Sequence, residues 1–343
     1  MRPIPAAIVF LLLPPISIAA ADRADWSLYG KAILSADWAD DGDGGSFYLA
    51  SHNSRIGFRG NYDLGNDLEA IWQIETRIGF DDSGDPFGTR NTFAGIRGPF
   101  GTVRLGRHDT PFKEVVTEID PFLQIIGDSR NIAWLGSRFN IRADNIIRYD
   151  SPPVKGIRLS ALYKTPEGEQ GSDLLSGGIE CLWRGVRLTA AAEIHGKTLS
   201  AGADTLSDGD REYGLRVAGI WSGGTLEVFG LFESLADIGG VCGADRLAWS
   251  AGAVLDATDA IAVSAKYTGT GGVRTLEDTG AGMIAGMADF KFTQKALVFL
   301  AGAVTLNGEA ASFGSTGLGD WSKVIPLVGS DPWTMSLGLI VVF

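Results

Sequence analysis

The stretch "LEAIWQIETRIGF", Leu68 to Phe80, alternates strictly. Leu68, Ala70, Trp72, Ile74, Thr76, Ile78 and Phe80 fall on one side, and Glu69, Ile71, Gln73, Glu75, Arg77 and Gly79 on the other. A period of two sends successive side chains to opposite faces of a strand, so the segment has one greasy face and one charged face. The pattern returns in "WSLYGKAILSADW", where every even position from Trp26 to Trp38 is apolar and Ser27, Tyr29, Lys31, Ser35 and Asp37 oppose them. It returns again in "VRLTAAAEI", "IRLSALY" and "REYGLRVAGIW". A soluble sandwich turns its apolar faces inward and has no need of tryptophan at both ends of a strand. A strand that crosses a bilayer places such residues at the two headgroup layers. An open sheet edge does not survive in hydrocarbon, because its unpaired backbone groups have no partner there, so strands of this kind must close into a barrel.

The connections support the same reading. Short turns, such as "NYDLGND", Arg184 to Gly185, Ser222 to Gly224 and "DATDA", alternate with longer acidic or glycine-rich stretches such as "HGKTLSAGADTLSDGD". Short turns on one rim and long loops on the other characterise outer-membrane barrels. A helical period fits almost nowhere, although "FKEVVTEI" predicts a helical turn or two. "TLEVFGLFESL" carries apolar residues on both faces, and "GGIECLWRG" is too short to place.

The first residues read as a secretory signal peptide over 1–21, with basic Arg2, an apolar run, and Ala19 and Ala21 satisfying the small-x-small rule. Pro14 and Pro15 interrupt the run, which is shorter than the roughly 20 residues of a spanning helix. The remaining 22–343 form a single unit, which at about 16 strands allows roughly 20 residues per strand and connection. The net charge of -12, gathered in patches such as "DDGDGG", "DDSGDP" and "DTLSDGD", argues against nucleic acid as a partner. Cys181 and Cys242 could form a disulfide in an oxidising compartment, but incidental cysteines fit as well.

No constellation for catalysis or metal binding emerges. Of the histidines His52, His108 and His195, the nearest approach to a nucleophile with its base is His108 with Asp109 and Thr110, whose adjacent side chains point apart. "DDGDGGSFYLAS" begins like a calcium loop but has Gly45 where a third acid belongs and His52 in place of the terminal Glu. No cofactor is expected, although divalent ions could bridge such an acidic loop to lipopolysaccharide phosphates.

Several stretches together resemble the Gram-negative general diffusion porin family: "SLYGKA", "NSRIGFRGNYDLGNDLEAIWQIE", "RNTFAGIRGPFGTVRLGRHDTPF", "RADNIIRYDSPPVKGIRLSALY" and the terminal Phe343. The likeness is dense in the first half and thin in the second, and Val341 stands where the family often has an aromatic residue. The resemblance implies an all-β, 16-stranded antiparallel transmembrane barrel in the outer membrane, assembled as a homotrimer. It further implies a third external loop, from about His108 to about Phe139, folded into the lumen as a constriction. On this pattern Lys31, Arg55, Arg90 and Arg142 match basic wall positions. Alternation independently puts Lys31, Arg55 and Arg77 on polar faces and groups Arg142 with Asp144 and Arg148. On the loop, Asp120 matches an acidic constriction position, Glu114 and Glu118 lie nearby, and Gln124 replaces a second acid.

Opposed charges at the narrowest section set ion preference in such a pore. The expected function is passive diffusion of ions and small hydrophilic solutes, with no enzymatic step. The alternative is a substrate-specific channel for a sugar or an organic acid, which needs an aromatic track in the lumen; alternation offers Tyr29 and Phe47.

Overall fold

The computed structural model describes residues 24–81, 87–133, 138–168, 172–196, 211–317 and 324–343. The leader 1–21, "DTLSDGD" and most of "DDSGDP" lie outside them. The strands are β1 (Ala24–Asp40), β2 (Gly45–Ser51), β3 (Arg55–Gly65), β4 (Leu68–Arg77), β5 (Thr92–Gly98), β6 (Gly101–Asp109), β7 (Arg142–Asp150), β8 (Ile157–Lys164) and β9 (Leu174–Trp183). They continue as β10 (Val186–His195), β11 (Glu212–Gly223), β12 (Leu226–Ala236), β13 (Arg246–Asp256), β14 (Ile261–Thr270), β15 (Ala281–Thr293), β16 (Ala296–Asn307) and β17 (Trp333–Val342). Two short helices, α1 (Pro111–Thr117) and α2 (Arg130–Ala133), lie between β6 and β7.

β2 and β3 are two halves of one wall strand, which reconciles seventeen elements with sixteen positions around the barrel. Both pair with β1: β2 along Leu34 to Asp40, β3 along Ala24 to Lys31. At the break, Asn53 adopts φ 56°, and Ile33 of β1 is served instead by the Ser54 hydroxyl and the His52 amide. Each strand pairs antiparallel with its successor, and β17 returns to β1 from Lys31–Val342 to Asp40–Trp333, so the sheet closes. The closure ends on Phe343, whose backbone exchanges hydrogen bonds of 2.9 and 3.1 Å with Gly30. Its ring lies where a Cβ on Gly30 would fall 2.3 Å away, so a side chain at position 30 would have to displace the ring.

The alternation read in the sequence becomes the two faces of this wall. Trp26, Leu28 and Trp38 of β1, Leu215 and Val217 of β11 and Ile284 of β15 are exposed on the outside. Trp26, Trp183, Trp221 and Phe290 ring the rim of short turns, and Trp38, Tyr163, Tyr267 and Trp333 ring the other. From Trp26 to Trp38, steps of roughly 3.3 Å on a strand tilted by ~40° amount to about 30 Å, the thickness of a hydrocarbon core. Among the described residues no helix is long and apolar enough to cross a membrane.

Two expectations need correction, and the question left open for the cysteines is answered. Phe47 pairs with outward Trp38 and is exposed on the outer face, so it belongs to no lumen track. Asp144 does not share a face with Arg148: Asn145 has φ 56°, Gly106–Ile146 and His108–Ala143 enclose one residue on β6 but two on β7, and this bulge turns Asp144 outward to Arg107. The cysteines are both free, Cys181 half-buried on β9 and Cys242 exposed in the β12–β13 connection.

If the exposed face meets lipid, Leu215→Arg should lower the unfolding free energy in a bilayer by about 2–4 kcal/mol, whereas Thr189→Arg on the lumen face of β10 should change it by less than about 1 kcal/mol. Urea titration in liposomes reads both.

Candidate pore constriction

Between β6 and β7 the described residues 110–133 and 138–141 turn into the barrel, and their outer limits lie within two residues of those read from the sequence. Thr110 caps α1 by accepting the Lys113 amide at 3.2 Å, and Pro111 supplies a first helical residue with no amide to satisfy. The greasy side of α1, with Phe112, Val115 and Val116, packs on Ala191, Ala218, Ile220, Phe229, Leu231 and Leu235 of the inner wall. This explains why β12 is apolar on both faces: one meets the outside, the other the loop. Further on, Phe122, Ile125 and Ile126 pack against Ile33 of β1, Ala285 and Met287 of β15 and Phe299 of β16.

Buried polar contacts fix the loop's path. Lys266 of β14 reaches Asp120 at 2.6 Å and the Ser129 hydroxyl at 2.8 Å, and Asp120 also accepts the Ser129 and Phe122 amides at 2.9 and 3.0 Å. The two charged side chains are 0% and 1% exposed. Asp120 therefore does not face the water, contrary to the sequence expectation, because a lysine far along the chain claims it. Arg216, paired with Glu233, donates to the Phe112 carbonyl at 2.8 Å and to Asn140 at 2.6 Å, and Arg246 donates to the Ala133 carbonyl at 2.8 Å.

On the opposite wall the expected basic residues do converge. Arg55 lies 3.8 Å from Glu75 and donates to Gln124 of the loop at 3.4 Å. Arg90 pairs with the same Glu75 at 2.5 Å and donates to Asn53. Arg142 contacts Asn91 at 2.6 Å and Asp109 at 3.0 Å. Lys31 feels Arg55 and Arg90, and no carboxylate among the described residues is within ion-pair distance of it. Arg77 sits at the loop end of β4, in register with Arg55.

Arg148 is separate and 5% exposed, clamped by Glu114 at 2.6 and 2.7 Å and by Asp150 at 2.8 Å. Glu118 is exposed on the water side of the loop, 3.5 Å from Arg187. Burial raises the carboxyls of Glu114 and Glu118, assisted at Glu118 by Glu180 and opposed at Glu114 by Arg148. Lys113, which the sequence reading missed, pairs with Asp109 at 2.7 Å. Burial and the nearby Arg142 lower it to about 8, against the pull of Asp109. The spacing of Asp109 and Lys113, four apart across a helix start, was the available signal.

The arrangement is thus a cluster of Lys31, Arg55, Arg90, Arg142 and Lys113 around Glu75 and Asp109, half-buried except at the buried Arg90 and Glu75, faced by a loop whose best-matched acid is withdrawn. Of the three histidines, His52 contacts Ser35 at 2.5 Å and Asp37 at 3.3 Å through Nε2.

Comparison with known proteins places these features in context. A family model described as Gram-negative porin matches residues 6–310. A "Major outer membrane protein P.IB" of Neisseria meningitidis serogroup B is 31% identical over 169 residues, covering 46% of this chain and 48% of that protein. The matched segments span about a third to a half of the length of such curated relatives. Among solved structures, an anion-selective porin from Comamonas acidovorans superposes with a TM-score of 0.78 at 19% identity, covering 93% of this chain and 100% of that one. In-vitro folded OmpT of Vibrio cholerae in a trimer form gives 0.72 at 16% identity, covering 94% and 100%.

Removing one partner of a buried ion pair leaves an uncompensated charge. Asp120→Ala should therefore cost about 3–5 kcal/mol of stability and make the open-channel current noisier, while Asp120→Leu with Lys266→Met should recover most of the loss. Denaturant titration of the single and double variants checks the coupling.

Proposed function

Because the chain belongs to the Gram-negative porin family, we propose that it forms a water-filled channel in the outer membrane through which ions and small hydrophilic solutes diffuse down their gradients, with a preference for anions. The observation that carries the sign is local: five cationic groups, Lys31, Arg55, Arg90, Arg142 and Lys113, stand against the two carboxylates Glu75 and Asp109 at the constriction. Family and fold favour a channel over an enzyme. The trimer form of the Vibrio OmpT relative supports a homotrimeric assembly, seated in outer-membrane lipid and lipopolysaccharide.

The mechanism is exclusion by size combined with electrostatic filtering. The loop narrows the water column, and along the β1 and β3–β7 wall permeant ions pass beside the basic cluster. A cation entering there meets net positive charge in a confined, poorly screened space, whereas an anion is stabilised without being held by any one strong site. The acidic balance of the whole chain, -12, does not reach this point, because charges farther away than about 8–10 Å are screened at ordinary salt. Glu114 and Glu118 moderate the effect little, each having an arginine neighbour.

Reversal potentials across a planar bilayer under a KCl gradient test this reading. The unmodified channel should favour chloride, and Arg55→Glu or Arg142→Glu should move the reversal potential toward potassium with only a modest change in conductance. Asp120→Asn should leave the sign of the preference unchanged, because that side chain is turned away from the water. A potassium-selective parent channel would refute the assignment.

Lys113 adds a pH dependence. It loses its proton as pH rises through its lowered pKa of about 8, so the chloride preference should weaken between about pH 7 and about pH 9. Lys113→Met should remove part of that change.

A further inference from the structure

Ile71 is the one large apolar side chain on the water face of "LEAIWQIETRIGF". β4 places it in the lumen, in register with Asn61 of β3 and Gly95 of β5. Phe93 of β5, opposite Gln73, shares that face. Neither belongs to the apolar clusters that seat the constriction loop, so packing of the loop does not account for them. They line a cavity of about 460 Å³ on the short-turn side of the constriction, together with Arg59, Arg97 and Arg104.

The three arginines are not equivalent. Arg97 is paired with Glu69, and Arg104 with Asp150 while standing 5.2 Å over the Phe93 ring. Arg59 lies 5.0 Å over the Tyr29 ring and donates only to the Ser27 hydroxyl at 3.4 Å, and no carboxylate among the described residues lies within ion-pair distance of it. The cavity's own carboxylate, Asp25, is in register with Asn61, one step closer to the rim than Arg59. An apolar wall beside an uncompensated guanidinium suits a ligand that is flat and greasy at one end and anionic at the other. A guanidinium fork matches a carboxylate in two parallel hydrogen bonds, and an aromatic ring gains from contact with another ring beyond its buried area.

We infer that this cavity is a binding subsite for arenes bearing a carboxylate, with the ring against Ile71 and Phe93 and the carboxylate against Arg59. The inference rests on the channel reading and adds to it a solute class that is retained briefly while crossing. Such retention must be weak for the solute to leave, and a single aromatic contact with one exposed ion pair is of that order.

The test is single-channel recording of the folded protein in planar bilayers, with phenylacetate, acetate or 2-phenylethylammonium added on the short-turn side. Phenylacetate should reduce the chloride current at a half-effect concentration about tenfold below that of acetate, and 2-phenylethylammonium should have little effect. Phe93→Leu, which keeps an apolar side chain for folding, and Arg59→Gln should each raise the phenylacetate concentration needed by about fivefold. Equal responses to phenylacetate and acetate, equal block by the ammonium compound, or unchanged half-effect concentrations in both variants would overturn the subsite. Those outcomes all require an open channel; a folded protein that conducts nothing would overturn the pore reading instead.

Discussion

Every feature of this molecule depends on the requirement that backbone N–H and C=O groups find partners within the protein where the surroundings are hydrocarbon. A sheet meets that requirement only when its last strand pairs with its first. Here the long β1 does so twice over: it holds β17 on one side and both halves of a broken strand on the other. The break at His52 to Ser54 would expose strand groups of β1, and the Ser54 side chain supplies the missing partners at Ile33. Terminal Phe343 completes the ring over a glycine, so both ends of the described chain are tied at the same rim.

A closed barrel of this size would be an open tube without the inward loop, and the loop stays inward for two distinct reasons. Apolar residues of α1 and of the segment around Phe122 replace water on the inner wall, which contributes roughly 25 cal/mol for each Å² covered. That term is not directional. Direction comes from the buried Lys266–Asp120 contact and from Arg216 and Arg246 holding loop carbonyls, because such groups are strongly destabilising in any position where they lack a partner. Acidic and basic residues thus divide between two tasks. Those deep under the loop position it, and the cluster around Arg55 and Glu75 gathers on the wall that the loop faces.

The same division explains why the overall acidity of the chain and the character of its narrowest section differ in sign. Screening confines each charge to its neighbourhood, so the few groups around Arg55 matter to a passing ion more than distant acidic residues do. The lumen is also not uniformly polar. Ile71 and Phe93 interrupt the alternation on the water face, and their position beside Arg59 gives one part of the passage a chemistry that a simple sieve lacks.

Much of this was legible in sequence because it depends on short-range periodicity. Alternation in β1, β4, β8, β10 and β11 assigned outward and inward faces correctly, and the aromatic ends marked the membrane boundaries, since side-chain direction in a strand follows from position alone. Where a backbone irregularity intervened, the inference failed: the bulge at Asn145 turned Asp144 outward, and Phe47 took its face from its pairing with Trp38. What only the tertiary structure decided is which charges remain beside water. Asp120 reads as a pore residue from local pattern, yet Lys266 on a distant strand claims it, and Arg148 lines a cavity of the barrel while bound to Glu114 and Asp150. No local pattern carries that information, because the partner of a buried charge is set by which strands closure brings face to face.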